Sequence, residues 1–166
     1  MALLEIRVYP DRVLRETAKP IDEITDEIIR LSQDMMETMR LARGAGLAAN
    51  QVGIPIRLIV VELKSGKVGK PVAIINPEII SSESEEISEE GCLSIPGYYE
   101  YINRPKKVSV KGVTIDNAPF QIECEGHLAR AFQHEIDHLN GRLFIDYLSP
   151  VKKNIFKKRY LKQKNR

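Results

Sequence analysis

The segment at residues 127–140 constrains the fold most, because its spacing predicts a helix with two different faces. At about 100° per residue, one stripe of this helix consists of His127, Ala131, His134 and His138. A second stripe, suited to core packing, consists of Leu128, Phe132, Ile136 and Leu139. Gly141, a common residue just past a helix end, follows. We therefore expect the helix to pack through one side and to carry chemical groups on another.

The sequence QHEIDH, residues 133–138, predicts a metal site on this helix. His134 and His138 are four residues apart, so they project from the same side of a helix, one turn apart. Glu135 follows the first histidine and can reach a water molecule on the same ion. The alternative is a chance occurrence of a short pattern in a helix whose two histidines are structural.

A metal site that performs hydrolysis needs a third protein ligand and a position left for water. Phe144 stands where a metzincin has its third histidine, so that class is excluded. The downstream carboxylate of a thermolysin-type site could only be Asp146, which is close to the motif in the chain. The third ligand is therefore expected upstream, as Cys92, Cys124, His127 or an acid.

The two cysteines stand in different settings. Cys124 falls on the apolar side of the alternating segment 120–124, which indicates a core position. His127 lies two turns from the first histidine of the motif, too far to share its ion easily. Cys92 lies in the turn-like segment 90–94, which can present a thiolate, although a small buried residue is the alternative. From the residues alone, the third ligand remains open between Cys92 and an acid.

Charge is distributed unevenly along the 166 residues, although the formal net charge is only +2. The segment 150–166 carries eight Lys and Arg residues and no acid, so a tail of +8 follows a body of −6. A basic segment on an acidic body suggests an anionic partner such as nucleic acid or an anionic membrane surface. The alternative is a helix kept soluble by its lysines. A second charged block, residues 81–91, is acidic and is expected to be an exposed loop or edge.

The remaining patterns favour one α+β domain with a mostly antiparallel or mixed sheet, because strands cluster between helices. Residues 24–43 have helical spacing, with Thr25 or Asp22 as N-cap and Gly44 at the end. Strands are predicted over residues 54–63, 72–75 with an extension to 80, 107–113 and 120–125. Pro150 is expected in the first turn of a last helix.

Other classes of protein are excluded by composition. No apolar run approaches the roughly 20 residues of a membrane helix, and the N-terminus lacks the apolar region of a signal peptide. Two cysteines cannot form a disulfide framework, which favours a reduced, cytosolic setting.

Three segments that occur together give the chain a family resemblance: GAGLAANQ at 44–51, EGCLS at 90–94 and QHEIDH at 133–138. With these segments the chain resembles peptide deformylase, which removes the formyl group from the N-terminal formyl-methionine of new bacterial and organellar proteins. The resemblance implies an α+β fold with mixed or antiparallel β-sheets around the central H-E-x-x-H helix, an N-terminal helix and a basic C-terminal helix. Residues 1–149 are expected to form a single domain, and residues 150–166 a helix of the same domain.

The resemblance implies one divalent metal ion bound by Cys92, His134 and His138. Fe(II) is the usual metal of the family, and Zn(II), Ni(II) or Co(II) can occupy the site. Such an ion lowers the pKa of water from 15.7 toward roughly 7. Glu135 would take the proton and deliver it to the leaving amine. Gln51 and the backbone N–H of Leu93 would stabilise the oxyanion, although without the family Gln51 is interpreted as a turn residue.

The resemblance also implies how the substrate binds. Gly46 is expected against the substrate backbone, and the methionine pocket is expected to be lined by Ala45, Glu90, His127, Arg130 and Ala131. Some relatives carry an arginine soon after the Cys-Leu-Ser turn, where this chain has Tyr98 and Tyr99. Asp137 and Arg104 are a candidate ion pair that steadies the metal helix.

These expectations lead to one function and one alternative. The function is metal-dependent removal of the formyl group from nascent formyl-methionyl peptides in the cytoplasm, with release of formate. The alternative is a related metallohydrolase that acts on another small N-acyl or amide substrate. The resemblance suggests that the basic tail docks on the ribosome; no membrane partner is expected, and a monomer is the default. If the tail helix packs on the body instead, the expected contacts are Val151, Ile155 and Leu161 or Tyr160.

Overall fold

The computed structural model describes residues 2–63 and 70–164. Within them, the helices are α1 Asp26–Leu41, α2 His127–Leu139 and α3 Pro150–Lys164. The strands are β1 Gly46–Ala48, β2 Leu58–Glu62, β3 Pro71–Glu83, β4 Glu86–Cys92, β5 Ile95–Arg104, β6 Lys107–Thr114 and β7 Pro119–Glu125. Short 3-10 turns cover Arg12–Arg15, Ala49–Val52 and Phe144–Tyr147. The predicted α+β class and the order of helices and strands are confirmed.

Five strands form one antiparallel sheet in the order β1-β2-β3-β6-β7, and β4 and β5 form a separate antiparallel hairpin. β2 lies inside the large sheet and is apolar on both faces, as expected for a strand that is covered on both sides. Leu58 and Val60 face α1, whereas Ile59 and Val61 face α2. All four side chains are fully buried. The sheet is therefore enclosed between the two helices.

α2 packs on the sheet through the apolar stripe that its spacing predicts. Phe132, Ile136 and Leu139 are buried in one cluster with Ile59 and Ile74 of the sheet. α1 packs on the other face through Met35 and Met39, which are fully buried. The stripe of α2 that carries His134 and His138 is thereby turned toward the hairpin of β4 and β5.

Several predicted boundaries are wrong. Thr25 caps α1, since its side chain accepts a hydrogen bond from the amide of Ile28, but the helix ends at Leu41, and the left-handed residue that follows its C-cap is Arg43 (φ +59°), not Gly44. Residues 54–57 precede the strand rather than belong to it. The two segments predicted up to residue 80 are one long strand, β3, interrupted at Asn76 (φ +51°) by a register shift. The acidic block 81–91 is not a loop but covers the end of β3, the short connection at residues 84–85 and most of β4, two strands that belong to different sheets.

The tail helix α3 packs on the body through aromatic rings. Phe156 and Tyr160 are 1% and 8% exposed, and the ring of Phe156 lies 4.6 Å from Tyr98 and 5.5 Å from Tyr9 between centroids. Tyr160 was an expected contact. The other expected contacts, Val151, Ile155 and Leu161, are instead exposed to solvent by 68%, 43% and 40%.

Most of the basic side chains of α3 that the structure describes are exposed, although Lys153 is half-buried and Lys152 pairs with Glu100 of β5 over 3.3 Å. Lys152, Lys157, Lys158, Arg159 and Lys162 are all exposed. The charge predicted at Arg166 and the side chain of Lys164 lie outside the described residues. Within the described ranges, no helix has the length and hydrophobicity to cross a membrane.

Candidate metal centre

Three side chains from two distant segments converge beside α2. The Sγ atom of Cys92 lies 3.3 Å from Nε2 of His138, which lies 3.2 Å from Nε2 of His134, and the three ligand atoms are within 4.8 Å of one another. Typical metal–ligand lengths in a tetrahedron separate such atoms by roughly 3.3–3.6 Å. The three residues therefore fit one divalent metal ion.

The fold explains why these three residues meet. The two histidines are one turn apart on α2, and Cys92 ends β4 in a tight turn whose register shifts at Gly91. Cys124, by contrast, is partly buried against the core on β7, where burial raises the pKa of its thiol to about 11. His127 is exposed at the start of α2 and is not part of the cluster.

Behind the cluster lies a buried network centred on Glu90. Its carboxylate accepts hydrogen bonds from Arg104 (2.5 and 3.0 Å) and from Arg130 (2.6 Å), and it lies 3.0 Å from Nδ1 of His134. Burial alone raises the pKa of Glu90, but the hydrogen bonds from His134 and Arg104 outweigh it and lower the pKa to about 2. Arg104 also donates to Asp137 over 2.8 Å, so the structure contains the ion pair considered from the sequence.

The network fixes the orientation of one histidine. Because the carboxylate of Glu90 can only accept, it holds the proton of His134 on Nδ1. The lone pair of Nε2 is then directed toward Cys92 and His138, as a metal ligand requires. The ring of His134 also stacks on Phe144, with centroids 6.3 Å apart and planes 28° apart.

Gln51 lies beside the thiol of Cys92 and is 1% exposed. Its Oε1 accepts a hydrogen bond from the amide of Ala48 (2.9 Å), so its NH₂ group is turned the other way. That group donates to Oγ of Ser94 over 3.1 Å and lies 3.7 Å from Sγ of Cys92. The amide is therefore held as a donor at the edge of the cluster.

Glu135 is buried next to the cluster, and burial raises its pKa to about 7. Among the described residues, its Oε1 has no hydrogen-bond partner. Its Oε2 and Cγ lie against Gly46, where a Cβ would come within 2.7 and 2.8 Å of them. The glycine therefore leaves room for a carboxylate that is free to exchange a proton.

A cavity of about 460 Å³ opens at these residues. The substrate-binding residues expected from the sequence all line it: Ala45, Gly46, Glu90, His127, Arg130 and Ala131. Glu90 and Arg130 turn their charged groups toward each other, however, and present little charge to the cavity. Further lining residues that the motifs did not indicate are Arg43, Glu89, Pro96, Gly97 and Tyr99.

The fold recurs in known proteins. The family model described as polypeptide deformylase matches residues 3–154. The chain belongs to the polypeptide deformylase family. A peptide deformylase from Thermodesulfovibrio yellowstonii is 48% identical over 165 residues, covering 99% of this chain and 100% of the relative. One from Alkalilimnicola ehrlichii is 47% identical over 153 residues, covering 92% of this chain and 86% of the relative.

Solved structures agree with this family. The crystal structure of a peptide deformylase from Legionella pneumophila has a TM-score of 0.92 and 44% identity, covering 99% of this chain and 96% of that one. The predicted function, removal of the formyl group from formyl-methionyl nascent peptides by a metal-dependent hydrolase, is confirmed by membership of the deformylase family. These relatives give no support to the alternative of another small N-acyl or amide substrate.

Proposed function

We propose that this deformylase binds one divalent metal ion through Cys92, His134 and His138. The observation that carries the proposal is the 3.2–3.3 Å spacing of their ligand atoms beside the cavity. The ion supplies a nucleophile at neutral pH, because it lowers the pKa of water from 15.7 toward about 7. Glu90 supports the site from behind, since it fixes the proton of His134 on Nδ1.

Glu135 moves the proton in this proposal. Its unpaired Oε1 accepts the proton of the attacking water while the new bond to the formyl carbon forms. The same carboxyl then donates the proton to the amine nitrogen as the C–N bond breaks, which releases formate and a free N-terminus. A pKa near neutrality suits a group that must both take and return a proton.

Gln51 and the backbone N–H of Leu93 stabilise the negative charge on the formyl oxygen. The support for Gln51 is its fixed donor group beside Cys92, and the support for Leu93 is its position in the cavity wall directly after Cys92. A neutral amide donates to developing charge without competing for the metal, and losing one such donor typically costs on the order of 10²–10³ in rate.

The methionine side chain and the peptide backbone occupy the cavity. Gly46 lies in β1, which is the edge strand of the large sheet, so its backbone is available to an extended substrate. The methionine pocket is lined by Ala45, Glu90, His127, Arg130 and Ala131. The pairing of Glu90 with Arg130 keeps this pocket compatible with an apolar side chain.

Replacement of Glu135 tests the mechanism. Glu135→Ala is expected to bind the metal like the parent protein, because no ligand is changed, and to lose nearly all hydrolysis of formyl-Met-Ala-Ser. Metal content and formate release would be measured on the same preparation. Unchanged turnover with full metal content would contradict the role of Glu135.

We propose Fe(II) as the physiological ion, with Zn(II), Ni(II) or Co(II) able to replace it. A Cys-His-His set accepts several of these metals, so affinity alone does not select among them. Anaerobic purification with metal analysis, followed by activity before and after exposure to air, tests this choice. An iron enzyme loses activity in air, whereas retained activity with bound zinc would refute the choice.

We propose that the protein is a cytoplasmic monomer that docks on the ribosome through α3. The support is that five bases of α3 are exposed while Phe156 and Tyr160 attach the helix to the body. The same attachment supports treating residues 150–166 as part of one domain with residues 1–149. Both cysteines are free, in keeping with a reducing compartment.

Charge substitution is a better test of docking than deletion, because deletion would remove Phe156 and Tyr160 from the core. The test is the triple variant Lys157→Gln/Lys158→Gln/Lys162→Gln. We expect it to bind the ribosome more weakly, and its affinity to fall less steeply with salt, while turnover of formyl-Met-Ala-Ser stays unchanged. Equal ribosome binding by parent and variant would refute docking through this helix.

A further inference from the structure

The hairpin of β4 and β5 has one face turned inward and one face turned to solvent. The register pairs Gly91 with Tyr99, Glu89 with Tyr101 and Ile87 with Asn103, so these residues share the outer face. Three of them are large apolar or aromatic side chains that stay exposed: Ile87 (67%), Tyr99 (63%) and Tyr101 (62%). We name Ile87, Glu89, Tyr99 and Tyr101 the hairpin stripe.

The hairpin stripe begins at the wall of the catalytic cavity. Tyr99 and Glu89 line the cavity together with Gly91. The ring of Tyr99 lies over Gly91, where a Cβ would come within 2.5 Å of its Cε1 atom. From Tyr99 the stripe runs outward over four residues of β5, which corresponds to about 13 Å. The exposed apolar surface is therefore continuous with the cavity.

We infer that the hairpin stripe binds the part of the substrate chain that follows its first three residues. This inference rests on the proposed function, since it assigns the stripe to the same peptide. A cavity of about 460 Å³ is of the size that takes one small ligand, so a longer peptide must leave it. Residues of an extended peptide repeat on one face every second position, which matches the spacing of Tyr99 and Tyr101.

The chemistry of the stripe defines the side chains that it selects. Apolar or aromatic side chains at the fourth and sixth positions of the substrate bury against Tyr101 and Ile87. The exposed carboxylate of Glu89 lies opposite Tyr101 and favours a lysine or arginine nearby. It also disfavours a second copy of this chain as the occupant in any contact whose twofold axis passes beside Glu89, because the two carboxylates would then lie together.

Peptides of equal length test the inference. Formyl-Met-Ala-Ser-Phe-Ser-Leu is expected to have a kcat/KM roughly 10-fold above that of formyl-Met-Ala-Ser-Gly-Ser-Gly, mainly through KM, because part of two apolar side chains is buried. In Ile87→Ser/Tyr101→Ser this advantage is expected to disappear, while turnover of formyl-Met-Ala-Ser stays the same. Val151→Ser is the matched control, since Val151 is 68% exposed on α3, and it should keep the advantage.

The outcomes separate this inference from the proposed function. Equal kcat/KM for the two hexapeptides, or an advantage that survives in the double variant, overturns the role of the stripe. A concentration-dependent dimer of the parent protein that the double variant abolishes also overturns it, because the stripe would then be an interface between copies. Failure of the parent protein to hydrolyse formyl-Met-Ala-Ser would instead contradict the proposed function.

Discussion

Nδ1 of His134 lies 3.0 Å from Oε1 of Glu90. The same carboxylate is held by Arg104 and Arg130, and both arginines are buried. The orientation of a candidate metal ligand therefore depends on a buried ion network that reaches β5 and the start of α2. Partners of this kind behind a metal ligand affect affinity strongly even though they do not touch the metal.

Glu90→Gln is expected to lower metal affinity about 10–100-fold, because the neutral amide holds the His134 ring less well. Chelator competition would measure the affinity. The variant also removes the carboxylate partner of the buried Arg130 and leaves Arg104 with Asp137 alone, and breaking a buried pair typically costs about 3–5 kcal/mol in the free energy of unfolding of the metal-free protein. Glu89→Gln is the control, because Glu89 is exposed, and an equal effect in both variants would contradict the argument.

Gly46→Ala is expected to reduce kcat by at least about 10²-fold with metal still bound. Its Cβ would come within 2.7 Å of Oε2 of Glu135, so the carboxylate must move, and small displacements of a catalytic group can cost about that much. Formate release and metal content would be measured together. A variant with full activity would mean that Glu135 can act from a shifted position.

Gln51→Leu is expected to lower kcat by roughly 10²–10³-fold, because it removes one donor to the developing oxyanion. KM for formyl-Met-Ala-Ser should change less than kcat, since the charge develops only in the transition state. Steady-state kinetics at saturating metal would measure both constants. A loss confined to KM would indicate that Gln51 binds the ground state instead.

Phe156→Ala is expected to lower the free energy of unfolding by about 3–5 kcal/mol, the usual cost of removing a buried phenylalanine ring. Urea unfolding would measure it. Ile155→Ala is the neighbouring control, because Ile155 is 43% exposed, and exposed substitutions usually stay within about 0.5 kcal/mol. Similar losses in the two variants would contradict the packing of α3.

Asp146→Asn is expected to lower the melting temperature at pH 7 more than at pH 3. Burial raises the pKa of Asp146, but hydrogen bonds from Arg15 outweigh this and hold the pKa below its ordinary value. The stability from this carboxylate is therefore present above the ordinary pKa and is lost as the pH falls through the lowered one. Melting curves of parent and variant at both pH values would measure it, and a difference independent of pH would contradict the assignment.

The sequence predicts those parts of the fold that local spacing determines. α1 and α2 are long amphipathic segments, so their apolar stripes identify them and the face that each buries. The pattern of the sequence does not predict β5. This strand is stabilised by its pairing with β4, which the local sequence does not show, and the residues on its outer face are exposed. Asn76 interrupts β3 because its side-chain amide forms two hydrogen bonds with the backbone of Ile21, one through Oδ1 and one through Nδ2. This contact joins distant segments of the chain.

The same distinction between local spacing and distant contacts applies to the residues of the candidate site. His134, Glu135 and His138 follow from helical spacing alone, whereas Cys92 needed the family resemblance, because nothing local shows that the hairpin brings it to α2. The role of Glu90 behind His134 depends on two arginines that are 14 and 40 residues away along the chain. Ser94 ends the segment 90–94 and Tyr99 follows it five residues later, but only the structure shows which groups they contact.

The ring of Tyr99 lies over Gly91 and fills the space that any side chain at position 91 would need. A side chain at position 91 would therefore require the ring of Tyr99 to move. Because Tyr99 is 63% exposed, its ring has solvent into which to move, but it would then leave the wall of the cavity. Variation in how the outer part of the substrate is held can thus arise at position 101 or 87 without compensating changes, but at position 99 it alters the shape of the catalytic cavity as well.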